Sequence, residues 1–483
     1  MTRTYNESLP MPVKVKPYKH QQEAFDFACR RFGILPTDFR SRGVALLMEM
    51  GCGKSLTAIA LAGALWQYRR IKRVLVVAPL SILGVWEDEF AQYANFPYEL
   101  TILKGTKDKK IKQLGRVAEN MLDVKVVNYD SARAKGLDKE LLRYDADLII
   151  ADEGHKLKEN RSKQSIIMHQ LGDKARYKLL LTGTLITNKE IDVFSEYRFL
   201  NTDIFGSSFF AFRNRFFDMG GYQQHTPIFR KWMLDDFLKR LHLIAYRITK
   251  AEALDLPDIT EEVRTVELEP KAMKIYKDIE QENFAYLKNG EISTTNILTR
   301  LLRLSQATGG FLTDDEGNLH QISTAKLAAL EDMIDSSVNE GRKIVVIAQF
   351  VAELDAIRDM LIKKKLGYVE IRGGVNNRAE LIKQFQTDPD CMVFVGQISA
   401  AGLGVTLTAA STMVFYSMNY NMSDFDQCKA RIHRIGQTEN CHYIFLCCRG
   451  TVDRKVLRSL RDKIDLAKLL VDDYRKTGQN PFH

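Results

Sequence analysis

Residues 44–55 read VALLMEMGCGKS and run directly into LTAIALAGAL. An apolar run, a glycine-containing turn and an apolar helical pattern make a strand, a turn and a helix. That unit aims backbone amides and a helix N-terminus at an anion. Lys54 would reach the β- and γ-phosphates of a nucleotide and Ser55 would ligate magnesium. Gly51, Gly53 and Leu56 complete the nucleotide-binding set in this segment. The strict G-x-x-x-x-G-K-[ST] pattern is missed because Met48 occupies its first glycine, and the shorter G-x-G-K-S form carries the reading.

A second segment belongs to the same chemistry. The apolar run 148–151 leads into Asp152-Glu153-Gly154-His155. A carboxylate at the C-terminal end of a buried strand lies where open α/β sheets bind ligands. Asp152 would hold magnesium through its water shell, and Glu153 would orient or deprotonate the attacking water. Kinases and small GTPases lack this adjacent pair, which points to water as the nucleophile. Upstream, KPYKHQQEA opens a helix in which Gln21 offers a donor and an acceptor suited to an adenine edge.

Working outward, short apolar runs alternate with helical patterns in both halves, the signature of parallel α/β sheets. Strands are expected at 44–48, 74–78, 124–128, 148–151 and 178–181, and again at 344–348, 368–372, 391–395, 412–416 and 443–447. Each set suffices for one doubly wound sheet. Between them lie aromatic helical segments (FFAFRNRFF, FLKRLHLIAYRI) and a charged helix over 271–287, joined through a connector at 254–260, LDLPDIT. The expected organisation is one α/β domain over 1–255 with a helical insertion near 190–250. A second covers 256–483 with an insertion near 270–310.

Near the end of the second half, residues 427–437 read QCKARIHRIGQ. The spacing places Arg431 and Arg434 three apart on an expected helix, with both guanidiniums on one face. A fork of fixed positive charge suits the terminal phosphate of a nucleotide held elsewhere in the chain.

Composition narrows the class. Of 483 residues, 45% are hydrophobic and 27% charged, which describes a globular chain rather than a disordered one. The net charge of +9 fits a nucleic-acid partner without demanding one. Seven cysteines occur, with no C-x-x-C pair and no zinc-finger spacing, so reduced thiols and an intracellular setting are expected. The polar N-terminus is not expected to act as a signal peptide, and no apolar run approaches the ~20 residues of a membrane helix.

Taken together, these segments resemble the Swi/Snf (sucrose non-fermenting) family of DNA-dependent ATPases, within the superfamily-two helicases. HQQEA resembles the adenine-binding glutamine motif and MEMGCGKS the phosphate loop. VVAPLSILGVWEDEF is similar to motif Ia, LIIADEGHKLKEN to motif II and LLLTGTLITN to motif III. KIVVIAQFVAELD resembles motif IV, GQISAAGLGVTLTAASTMVFY motif V and QCKARIHRIGQ motif VI, so the likeness covers about residues 15 to 460. Met48 stands where the family usually has Asp, and Leu185 where it has Pro.

The resemblance implies two RecA-like parallel-sheet lobes with ATP and Mg²⁺ in a cleft between them. Gln21, Lys54, Ser55, Asp152 and Glu153 would come from the first lobe, and Gly404, Gln427, Arg431 and Arg434 from the second. Thr182, Gly183 and Thr184 would couple the phosphate site to the nucleic-acid track. Pro79, Leu80, Ser81, Ser399, Ala400 and Gly402 would contact the DNA backbone, giving little sequence preference and strong salt dependence.

The lysine-rich stretch at 103–116 is read either as an extension of that track or as a solvated surface. The aromatic stretch at 209–217 is read as core packing rather than a base-stacking platform. The expected activity is an ATP-driven translocase on double-stranded DNA, with a strand-separating DNA or RNA helicase and an inactive nucleic-acid scaffold as the alternatives. A bare monomeric motor, targeted by a partner protein or a DNA structure and of bacterial or viral source, is the accompanying expectation.

Overall fold

The apolar runs are continuous rather than alternating because the strands they form are buried on both faces. In the computed structural model, residues 7–183, 190–220, 226–253, 256–288, 294–314, 316–375, 377–401 and 406–462 are described. The expectations for Thr184, Leu185, Gly402 and Gly404 lie outside them. The chain divides into two compact units, Met1–Asp255 and Leu256–His483.

The first unit contains β1 (Gly43–Met48), β2 (Arg73–Ala78), β3 (Tyr98–Ile102), β4 (Leu122–Asn128), β5 (Leu148–Asp152) and β6 (Tyr177–Thr182), then β7 (Phe217–Gly220), β8 (Thr226–Phe229) and β9 (Ala245–Ile248). Seven of these form one sheet in the order β3-β4-β2-β5-β6-β1-β9, and β7 and β8 form a separate antiparallel hairpin. Every pairing in the seven-stranded sheet is parallel. Successive residues of β1 enter opposite cores: Val44, Leu46 and Met48 join one apolar cluster, Ala45 and Leu47 the other. A two-residue period with both faces covered makes the interior strands largely apolar runs, with the buried Asp123–Lys125 ion pair in β4 as an exception.

The second unit repeats the plan with β10 (Ile259–Val266), β11 (Phe311–Thr313), β12 (Leu319–Gln321), β13 (Lys343–Ala348), β14 (Gly367–Ile371), β15 (Cys391–Gln397), β16 (Ala410–Phe415) and β17 (Cys441–Cys448). Six of them form a parallel sheet ordered β10-β17-β16-β13-β15-β14. The alternation recurs in β13, where Ile344 and Val346 face one core and Val345 and Ile347 the other.

Within the two parallel sheets three strands depart from the sequence reading, and all three are sheet edges. The run FLKRLHLIAYRI is helix only over Leu234–His242, after which β9 pairs with β1. Phe237, Leu241, Ile244 and Ile248 fall at helical spacings across that boundary, which hides the change. The connector at 254–260 runs into β10, whose exposed, charged face is that of an edge strand. The half-exposed β3 closes the other edge of the first sheet.

Among the described residues the insertions are helical except for β9 and the β7–β8 hairpin. In the first unit Phe205, Phe212, Phe216 and Phe237 pack with ring centroids 5.1–6.4 Å apart, so the aromatic run at 209–217 is mainly core, with Phe210 turned outward. The second unit carries helices Pro270–Lys288 and Thr294–Gly309. Among the described residues no helix is long and apolar enough to cross a membrane.

Candidate nucleotide site

The loop after β1 is shaped by two glycines in the left-handed region, Gly51 and Gly53, both at φ +88°. Gly53 is the N-cap of the helix Lys54–Gln67, so the turn delivers the helix N-terminus to the C-terminal edge of the sheet. Thr57 Oγ1 closes the first turn on the Gly53 carbonyl at 3.0 Å. Lys54 Nζ donates to the Met48 carbonyl at 2.8 Å, folding the lysine back over the loop. Ser55 is half-buried in the first turn, and Leu56 beside it is buried in the core.

Gln21 and His20 secure the loop from the helix Lys19–Arg31. His20 Nε2 lies 2.8 Å from the Cys52 carbonyl, and Gln21 Nε2 donates to the same oxygen at 3.3 Å. Gln21 Oε1 accepts the Tyr18 N–H at 2.9 Å. Both ends of the amide are engaged inside the unit, so the fold places Gln21 against the phosphate loop.

The carboxylate pair arrives on β5. In the parallel register Asp152 stands opposite Leu181 of β6, while Thr182 of β6 stands opposite Leu47 of β1. One strand therefore separates the loop from the carboxylates, and its buried Thr182 ends between them, with Gly183 approaching the Met48 carbonyl.

Asp152 is held on three sides. Its Oδ1 accepts the Glu153 N–H at 2.9 Å and its Oδ2 accepts Trp86 Nε1–H at 3.0 Å. The Tyr129 hydroxyl donates to its backbone carbonyl at 2.8 Å. Burial, then the neighbouring Glu153 charge, pushes the Asp152 carboxyl up to about 7, against the opposing pull of Lys54 and the Trp86 hydrogen bond. A carboxylate raised by burial and by an acidic neighbour is a site whose electrostatics favour a cation, so the donor set fits magnesium.

Glu153 has φ +52° and lies 3.2 Å from His155 Nδ1. Gly154 follows because a Cβ there would meet the Leu180 side chain at 2.3 Å.

Of the residues expected on DNA, Pro79 precedes a 3-10 turn over Leu80–Ile82 that contains Ser81, and Leu80 is 70% exposed. The turn follows β2, whose C-terminal end lies on the same edge of the sheet as Asp152. In the second unit Ser399 and Ala400 lie in a short helix, Ile398–Ala401, directly after β15. Four of the five lysines of 103–116 lie in the helix Lys107–Leu114, with Lys107, Lys109 and Lys112 exposed.

The arginine segment requires a correction. The helix carrying Gln427 ends at Lys429, and Arg431 and Arg434 lie in the turns that follow rather than on one helical face. The chain tightens there: Arg431 N bonds to the Cys428 carbonyl and Gln437 N to that of Arg434, with Gly436 at φ +98°. Buried Ile432, the His433 contact to the Pro257 carbonyl at 2.9 Å and Gln437 Nε2 on the Ala410 carbonyl at 2.9 Å fix this turn. The two arginines are thus mounted on a pinned turn.

Sequence reasoning missed Trp86, Tyr129 and His20. Trp86 and His20 sit inside quoted motifs and Tyr129 follows the strand expected at 124–128, but a tryptophan or tyrosine in an apolar segment reads as packing until its polar atom is seen to reach a partner.

Two parallel-sheet units, one with a phosphate loop one strand away from an acidic pair, define the chain as a phosphate-loop α/β protein. The chain belongs to the SNF2-related family: residues 18–309 match the SNF2-related domain, and residues 325–436 match the helicase conserved C-terminal domain.

It is 28% identical over 479 residues to the CHD3-type chromatin-remodeling factor PICKLE of Arabidopsis thaliana, covering 90% of this chain and 33% of that protein. It is 27% identical over 480 residues to the DNA annealing helicase and endonuclease ZRANB3 of Mus musculus, covering 95% of this chain and 41% of that protein. The chain thus spans well under half the length of these relatives. Among solved structures, a Sulfolobus solfataricus SWI2/SNF2 ATPase core in complex with dsDNA aligns over 97% of this chain and 98% of that one, at 24% identity and a TM-score of 0.46.

Proposed function

We propose that the chain is an ATP-hydrolysing motor that tracks along the backbone of duplex DNA without reading its sequence. The observation that carries this is the placement of the buried, doubly hydrogen-bonded Asp152 carboxylate one strand from the Lys54 loop. Membership of the SNF2-related family supports the nucleic-acid half of the reading.

In this mechanism Lys54, Gly51, Gly53 and the helix N-terminus hold the phosphates, Gln21 keeps the loop in shape, and Leu56 anchors its first turn. Ser55 and Asp152 would hold Mg²⁺, which would neutralise charge on the phosphate oxygens. Glu153 orients the attacking water. Arg431 and Arg434 would supply positive charge at the terminal phosphate, and Gln427 and Gly404 would contact the nucleotide. Arginines in that role supply about 10³–10⁵ in rate. Hydrolysis then depends on both sets of motif residues, a requirement that DNA engagement can control.

Thr182, Gly183 and Thr184 link the phosphate site to the track. Pro79, Leu80 and Ser81, with Ser399, Ala400 and Gly402, bind backbone phosphates. Monomeric action, with targeting by a partner protein or a DNA structure, completes the proposal.

The test is ATP hydrolysis with no nucleic acid, double-stranded DNA, single-stranded DNA or RNA, using Glu153→Gln as the blank. Stimulation chiefly by duplex DNA is the expected result. Stimulation chiefly by a single strand replaces the translocase by a strand-separating or annealing enzyme. Activity no higher than the blank under every condition overturns the motor.

A further inference from the structure

Trp86 is fully buried on the helix Leu83–Tyr93, and its indole has one polar atom. That atom is directed at the side chain of Asp152 rather than at a backbone carbonyl, with Nε1 3.0 Å from Oδ2. The other oxygen, Oδ1, takes the Glu153 N–H at 2.9 Å. The two donors therefore grip the carboxylate at both oxygens and set its plane, and each oxygen keeps an acceptor direction for a metal-bound water. Tyr129, fully buried beside it, fixes the Asp152 main chain through its hydroxyl, so rotation of the side chain is the freedom left for Trp86 to restrict.

Ordinary satisfaction of a buried indole N–H would need only some acceptor. A charged one, at the end of the strand next to the phosphate loop, gives a stronger, charge-assisted bond and a functional consequence. Glu89, one turn further along the same helix, adds a third acidic group to the surroundings of Asp152.

We infer that Trp86 is a positioning residue that orients the Asp152 carboxylate for magnesium. The inference rests on the nucleotide-site reading above. It follows the general behaviour of groups that hydrogen-bond to metal-ligating carboxylates, whose loss typically costs 10- to 100-fold in metal affinity or activity.

The experiment is a binding titration of a fluorescent, non-hydrolysable ATP analogue against magnesium concentration, with parallel titrations in EDTA. Trp86→Phe keeps most of the ring and removes the N–H. The expected result is a rise of about tenfold in the magnesium concentration at half-maximal binding, with analogue affinity in EDTA unaltered. A residue that only packs would shift thermal stability and leave magnesium dependence as in the wild type, and that outcome overturns the inference.

Should Trp86→Phe unfold, replacing Trp86 by benzothienylalanine in a Trp66→Phe, Trp232→Phe background keeps the indole shape without the N–H. The same rise in the magnesium requirement is then expected, and an unchanged requirement overturns the inference. Wild-type protein that binds no analogue at any magnesium concentration overturns the nucleotide reading and this inference together. Magnesium-dependent binding that Trp86→Phe leaves untouched overturns this inference alone.

Discussion

Gly53 lies against the Gln21 amide: a Cβ added at Gly53 would come within 2.2 Å of Gln21 Nε2, and the residue has φ +88°. Gly53→Ala therefore adds a clash to a left-handed backbone. A stability loss of about 2 kcal/mol is expected, together with weakened nucleotide binding. Thermal denaturation measures the first. Gln21→Ala in the same chain should restore part of it by removing the clash but not the strain, and a strictly additive double variant would show that the two residues do not meet.

Lys54 and Glu153 should separate binding from chemistry. Lys54→Ala removes the positive charge from the loop, and analogue binding should fall sharply. Glu153→Gln keeps the backbone at the strand end and removes the group that orients water. Hydrolysis should fall about 10²-fold or more, with analogue affinity changed by less than about twofold. Equal loss of binding in both variants would remove Glu153 from the chemical step.

Arg431 and Arg434 stand on a turn fixed by Ile432, His433 and Gln437, so truncating either guanidinium should leave the fold intact. For Arg434→Ala a drop in kcat of about 10³-fold is expected, with the melting temperature and analogue affinity near wild type. Retained turnover would exclude this arginine from the transition state.

Glu353 gives a pH-dependent prediction within the second unit. It is fully buried, accepts hydrogen bonds from Ser417 and the Gln349 and Phe350 amides, and burial pushes its carboxyl from 4.5 up to about 7. The folded chain binds this proton more tightly than the unfolded chain. Its contribution to stability is therefore complete below about 4.5 and lost as pH rises through about 7. The shift corresponds to about 3 kcal/mol. Urea midpoints measured across that range should fall with rising pH in the wild type, and Glu353→Gln should remove this slope. Parallel slopes in the two proteins would contradict the prediction.

Legibility followed burial. The interior strands β1, β2, β4, β5 and β6 were readable as apolar runs because both of their faces are covered. Of the edge strands, β14 was readable but β3, β9 and β10 were not, since one side of each meets solvent and tolerates charge, as in ITEEVRTV. In the site, the motifs identified which residues to examine. The helix expected under Arg431 and Arg434 failed because periodicity alone does not reveal where a chain tightens into turns. The termination is set by the turn bonds and by tertiary anchors such as His433 on Pro257.

The chain's own order of residues determined its class: two parallel α/β units, a glycine-shaped anion loop and an acidic pair at a strand end. These are local patterns, written in consecutive residues by strand burial and turn chemistry. Only the tertiary structure decided that Asp152 and the Lys54 loop are one strand apart, that Gln21 braces Gly53, and that an indole 66 residues away in sequence grips the Asp152 carboxylate. Those relationships depend on strand order and register, which arise from packing between segments distant in sequence and leave no spacing to read along the chain.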